Sequence, residues 1–264
     1  MIRLSACIEM LFREHPFEER FAAAKACGLS AIEFWGWENK DVGVVKERLS
    51  EHGLELAAFC VGSRDPEIAP EWNKKRLSDR TGIKAFAKAV RESAEVANSL
   101  GCNTLIVTCG QARDDITRAE QHTNIVLALR AGGEVAGELG VTLVLEPLNV
   151  LCDHRGYFLS SSYEGFGIVE EVDSPAVKLL YDVYHQQITE GNLISNIKKH
   201  AHLIGHIHIA DVPGRHQPGT GEINYKNVFA AIGSSGYDGF VGMEFSPVGA
   251  SADAVKETLE LARH

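Results

Sequence analysis

VTLVLEP (residues 141–147) is a short aliphatic run that stops on a carboxylate, Glu146, and three later segments are built the same way. VKLLYD (177–182) ends on Asp182, LIGHIHIA (203–210) carries His208 near its end, and FVGME (240–244) ends on Glu244. Runs of this kind, rich in Val, Leu and Ile, read as strands buried on both faces. About 30 residues separate one polar end from the next, enough for a loop, a crossover helix and the following strand. In a closed parallel barrel the carboxyl ends of all strands surround one mouth, so positions distant in sequence become neighbours there. The four segments therefore predict one divalent-metal site at the mouth of an eight-stranded α/β barrel.

The same alternation of strand and helix extends over the whole chain. Eight strands are predicted, at Leu4–Ile8, Ala31–Phe34, Leu54–Cys60, Thr104–Cys109, Thr142–Leu145, Val177–Tyr181, Leu203–Ile209 and Phe240–Met243. Glycine precedes several of them, as in SEHGLEL and ANSLGCNT, where the left-handed position after a helix favours it. Ala and Leu recur at helical spacing with charges between Ser78 and Leu100 and between Asp114 and Leu139, as in an outer ring packed on a barrel. The stretch Ser63–Lys75, with Pro66, Pro70 and Trp72, reads as a long loop that either lids the mouth or runs over the surface. A length of 264 residues at 45% apolar composition suits a single (β/α)8 TIM barrel spanning residues 1–264.

With 26 Lys and Arg against 36 Asp and Glu, the formal charge is −10, which repels polyanions, so no nucleic-acid partner is expected. The six cysteines, Cys7, Cys27, Cys60, Cys102, Cys109 and Cys152, show no CxxC spacing and mostly lie in apolar runs, as reduced and buried thiols do. That suits a reducing, cytoplasmic setting. The apolar start MIRLSACIEMLF meets Glu9, Arg13 and Glu14 too soon for a signal peptide or membrane span, so no membrane association is expected.

Glu146, Asp182, His208 and Glu244 make a mostly hard oxygen set, suited to Mn²⁺, Mg²⁺ or Co²⁺ with positions left for substrate. Singly, each strand-end acid could instead cap the helix that follows it. In His206-Ile207-His208 both histidines share a strand face. His208, nearer the carboxyl end, is the predicted ligand, and His206 reads as a structural histidine that helps orient it. His185, just past Asp182, is placed either to touch a substrate oxygen or to begin a surface helix. The turn-rich segment Pro213–Tyr225 carries Arg215, which either brings a positive charge to the mouth or stays solvated, and Asn224, a predicted helix cap.

LEPLN (145–149), YDVYH (181–185), GHIHIAD (205–211), PGTGEINY (218–225) and VGMEF (241–245) resemble the hydroxypyruvate isomerase family. That family lies within the xylose-isomerase-like barrels, which also include ketose 3-epimerases of the tagatose and psicose type. The resemblance spans the chain and is most specific from Glu146 onward. It implies that Glu146, Asp182, His208 and Glu244 bind the metal, that Glu146 and Glu244 also move the proton, and that His185 and Arg215 contact substrate oxygens. It also hints at a homo-oligomer, a dimer or tetramer. Some hydroxypyruvate isomerases have glutamine at the position of His208, where the epimerases have histidine. The loop Val150–Gly156 lacks the additional glutamate the epimerases place there.

An α-hydroxy carbonyl compound isomerises when a C–H proton is removed and returned to the adjacent carbon through an enediolate. A divalent metal would stabilise that anion as a Lewis acid, and a positioned carboxylate base adds about 10²- to 10⁴-fold. Three carboxylates against one dication leave a net negative charge, so an anionic substrate needs a further cation, for which Arg215 is the candidate. The expected function is thus a metal-dependent isomerase of a small sugar or keto acid, converting hydroxypyruvate to tartronate semialdehyde or acting on a close relative. The alternatives are a ketose 3-epimerase using the same two glutamates, an endonuclease IV-type repair enzyme, and a non-catalytic binding barrel.

Overall fold

Each aliphatic run forms a parallel strand in the computed structural model, which describes residues 2–263. The strands are β1 (Arg3–Cys7), β2 (Ala31–Glu33), β3 (Glu55–Leu56), β4 (Phe59–Cys60), β5 (Thr104–Val107), β6 (Thr142–Leu145), β7 (Val177–Asp182), β8 (Ile204–Ile209) and β9 (Phe240–Met243). Their order is β3-β2-β1-β9-β8-β7-β6-β5-β4. β3 and β4, at opposite ends of that order, belong to one strip of chain. Within it Ala57 N donates to Ile32 O at 2.8 Å and Cys60 N to Trp35 O at 2.8 Å, while Val61 N reaches Ile106 O at 2.9 Å. The sheet therefore closes on itself, and β3 and β4 together make the third barrel strand, where one unbroken strand over Leu54–Cys60 is predicted.

Strand alternation sorts the side chains. Leu143, Leu145, Leu179, Ile207, Ile209, Val241 and Met243 join the large core shared with the helices. Ala58, Ile106, Val144 and Leu180 form a separate apolar cluster, one half of the barrel interior. The other half is polar: Ser5, Glu33 and His206 are buried there. Gly242 leaves them room, because a Cβ at that position would lie 2.4 Å from Glu33 Oε1. Glu146, Asp182, His208 and Glu244 each stand two residues beyond Val144, Leu180, His206 and Gly242, so all four inherit the inward parity and emerge together at the mouth.

The outer ring follows from local signals. Thr117 and Glu120 form a capping box at the start of the helix Arg118–Glu138. Asn224 caps the helix Tyr225–Ser234 by accepting from Asn227 N at 3.2 Å. The predicted long loop Ser63–Lys75 instead contains a helix, Ile68–Lys75. Ile68 and Trp72 fall on one face of it and are buried. Pro70 sits in its first turn, where a missing N–H costs nothing. Trp72 packs on Phe86 with ring centroids 5.0 Å apart. Among the described residues, no helix is long and apolar enough to cross a membrane. All six cysteines are free thiols, and Cys152 is exposed rather than buried.

Candidate active site

Glu146, Asp182, His208 and Glu244 each offer one ligand atom such that all four atoms lie within 4.8 Å of one another. All four residues are buried. Asp182 caps the following helix, Oδ1 accepting from His185 N at 3.1 Å, and its Oδ2 lies 3.9 Å from His208 Nδ1. The same nitrogen is 3.4 Å from Glu244 Oε2 and 3.6 Å from Glu146 Oε1. On the far side of the ring, Nε2 is 3.0 Å from Glu33 Oε1. Glu33 in turn accepts from Ser5 Oγ at 2.9 Å and lies 2.9 Å from His206 Nε2. Nε2 thus faces Glu33 while Nδ1 faces the three carboxylates, the orientation a metal ligand at Nδ1 needs.

Burial alone would raise the carboxyls of Asp182 and Glu244. At Glu244 the charges of His208 and Arg215, with hydrogen bonds from His208 and Trp35, outweigh burial and hold the carboxyl well below its usual range. At Asp182 burial prevails, reinforced by Glu244, and the carboxyl is raised against the pull of Arg215 and His208. His208 shows the converse: burial disfavours its charged form, yet Glu33 and Glu244 raise it well above the ordinary imidazole value.

A divalent cation fits this pocket on two counts. Three carboxylate oxygens and one imidazole nitrogen form a hard donor set of opposite charge to the cation. Nδ1 of buried His208 also lies 3.6, 3.9 and 3.4 Å from oxygens of Glu146, Asp182 and Glu244, and three carboxylates gathered around one buried nitrogen are the environment a cation would satisfy.

The profile of the xylose isomerase-like TIM barrel family matches residues 21–264. The chain belongs to that family. The 2-oxo-tetronate isomerase of Cupriavidus necator is 35% identical over 250 residues, covering 94% of each chain. The hydroxypyruvate isomerase of Escherichia coli is 30% identical, again over 94% of each. A solved structure described as an AP endonuclease, family 2, from Brucella melitensis superposes with a TM-score of 0.90 at 30% identity, covering 98% of this chain and 99% of that one. The curated relatives place this family member among isomerases.

The other predicted contacts also reach the mouth of the isomerase barrel. His185 is fully buried rather than at the surface. Its Nδ1 lies 2.7 Å from Asn149 Nδ2, and its Nε2, without a hydrogen-bond partner, is 3.7 Å from Asp182 Oδ2. Burial, with the charge of Arg215, pushes the imidazole down to about 4, so it is neutral at physiological pH. Arg215 is neither free nor solvated: its guanidinium pairs with Glu244 and sits 5.3 Å over the Tyr184 ring. Three residues escape sequence reasoning. Trp35 donates from Nε1 to Glu244 Oε1 at 2.7 Å, Glu33 holds His208, and Asn149 holds His185. Glu33 carried a signal, an acid inside the apolar run AIEF, and Trp35 stood directly at that strand's carboxyl end.

Proposed function

We propose that this isomerase is divalent-metal dependent and acts on small 2-oxo acids, interconverting hydroxypyruvate and tartronate semialdehyde or a close homologue. The observation that carries the reading is the quartet itself, two glutamates gathered with Asp182 and His208 within 4.8 Å. Glu146, Asp182, His208 and Glu244 would hold the cation, which when bound polarises the substrate carbonyl and stabilises negative charge on the adjacent oxygens. Glu146 and Glu244 stand on β6 and β9 ends separated around the mouth, so they can face a bound substrate from two sides. One takes the proton from the hydroxymethyl carbon, and the enediolate so formed is reprotonated at the former carbonyl carbon. The hydroxyl proton shifts between the two oxygens in the same sense, which balances the reaction. Neutral His185 donates from Nε2 to a substrate oxygen. Arg215 keeps Glu244 ionised and aimed, and Trp35 fixes its other oxygen.

The test is turnover of hydroxypyruvate in D₂O by the metal-loaded protein. Deuterium should enter at the carbon that gains the proton, and Glu146→Gln and Glu244→Gln should each lower kcat/KM by about 10²-fold or more. Turnover that survives both substitutions would remove the glutamates from the reaction. The name of the Brucella structure raises a nuclease reading, against which stands the formal charge of −10. The same preparation should leave abasic duplex DNA intact, and metal-dependent nicking would favour that reading instead.

A further inference from the structure

An acidic substrate finds the mouth one cation short. Four buried carboxylates, Glu33, Glu146, Asp182 and Glu244, face one dication and the guanidinium of Arg215, which is already paired with Glu244. His208 counts as neutral once its Nδ1 serves as a ligand. The site is therefore net negative before a carboxylate arrives, and burial makes that repulsion matter.

Past the ends of β5 and β6 lies a cavity of about 690 Å³, lined by Arg76, Thr108, Gly110, Leu148, His154 and Tyr157 among others. Two of its lining residues touch residues of the site. Tyr157 donates from its hydroxyl to Glu146 O at 3.0 Å, and the His154 ring centroid is 5.3 Å from that of His185. Of the cations lining it, Arg113 is paired with Asp79 and Asp115, both at 2.6 Å, Lys75 is paired with Glu71 at 2.7 Å, and Lys74 is solvent-exposed. Arg76 is different. Its guanidinium rests 4.8 Å over the buried Trp72 ring, with no carboxylate in ion-pair reach among the described residues.

The backbone is shaped to keep it there. Arg76 has φ 49° and ψ −161°, a conformation that side chains other than glycine rarely adopt and that persists where the surroundings impose it, often at functional sites. Its stem lies against Gly110, where a Cβ would come within 2.7 Å of Arg76 Cβ and Cγ. Leu77 N donates to Cys109 O at 3.3 Å, tying the segment to the end of β5.

We infer that Arg76 is the anion-binding group of the site: its guanidinium receives the carboxylate of a small 2-oxo acid in this cavity while the reacting carbons lie at the quartet. The planar fork of arginine suits a carboxylate bidentately, in a way lysine does not. The inference rests on the isomerase reading for the identity of the substrate, but not for the binding of the anion. It makes Arg76 the residue that selects acids over neutral ketoses.

The test compares wild type with Arg76→Met, which keeps the stem on Trp72 and removes the charge, and Arg76→Lys, which keeps the charge without the fork. KM for hydroxypyruvate, and the calorimetric Kd for tartronate, an unreactive carboxylate analogue, are measured on the metal-loaded full chain, with dihydroxyacetone binding as the neutral reference. The methionine variant should raise both constants by about 10- to 100-fold, leave kcat within about threefold and leave dihydroxyacetone binding unchanged, with partial recovery in the lysine variant. Unchanged tartronate affinity, or equal losses for tartronate and dihydroxyacetone, would overturn it. Should the wild type not turn over hydroxypyruvate, the isomerase reading fails, yet the tartronate titration still decides Arg76: charge-dependent affinity upholds the anion site and its absence removes it.

Discussion

At Glu33 a single buried carboxylate serves Ser5, His206 and His208 at about hydrogen-bond distance. Its carboxyl is held down to about 2, because the charges and hydrogen bonds of the two histidines outweigh the burial that would raise it. The consequence falls on His208, whose Nε2 faces Glu33 at 3.0 Å while Nδ1 faces the three carboxylates. Glu33→Gln keeps the shape and loses the charge, so Mn²⁺ affinity should fall by about 10- to 100-fold, read by direct titration. An affinity equal to wild type would mean that Glu33 only fills space. The four residues of the quartet were legible as neighbours in the sequence because each lies at the end of its strand. Glu33 was not singled out, since an acid within an apolar run announces burial without naming its partner, here His206, 173 positions away. The position of Arg215 at the mouth was legible; its pairing with Glu244 depends on a loop geometry that spacing does not encode.

The helix Arg118–Glu138 shows how glycine content sets the fit of an element on the barrel. At Gly132 a Cβ would meet Phe86 Cε1 at 2.4 Å and Leu143 Cδ1 at 3.2 Å, and both neighbours are fully buried. Gly132→Ala should therefore destabilise the protein by about 1–2 kcal/mol, because overpacking of about 1–3 kcal/mol exceeds a helix-propensity gain of about 1 kcal/mol. At Gly137, in the same helix, a Cβ meets only Ala176 Cβ at 3.7 Å. Gly137→Ala should stabilise by about 0.5–1 kcal/mol. Urea denaturation reads both, and equal signs would contradict the packing argument. Strand identities were legible from four-residue runs such as TLVL, and so was inward parity, because residues two apart share a face. The helix Ile68–Lys75 was not, since Pro66 and Pro70 read as loop chemistry and only the placement of Phe86 supplies the apolar surface that Trp72 covers.

Across the whole molecule the barrel interior is divided between an apolar cluster, Ala58, Ile106, Val144 and Leu180, and a polar half holding Ser5, Glu33 and His206. The fold class and the convergence of four strand ends followed from the order of segments, because closure of a parallel sheet permits one mouth only. The division of the interior did not follow, as it depends on which strands become neighbours when β9 pairs with both β1 and β8. That division concentrates negative charge where a cation can meet it and keeps the opposite wall dry. Electron paramagnetic resonance of the protein titrated with Mn²⁺ tests the metal site most directly. One Mn²⁺ should bind per chain, with nitrogen coupling from a single imidazole that vanishes in His208→Gln. Substoichiometric binding, or nitrogen coupling that persists in the variant, would place the ion elsewhere and contradict the account.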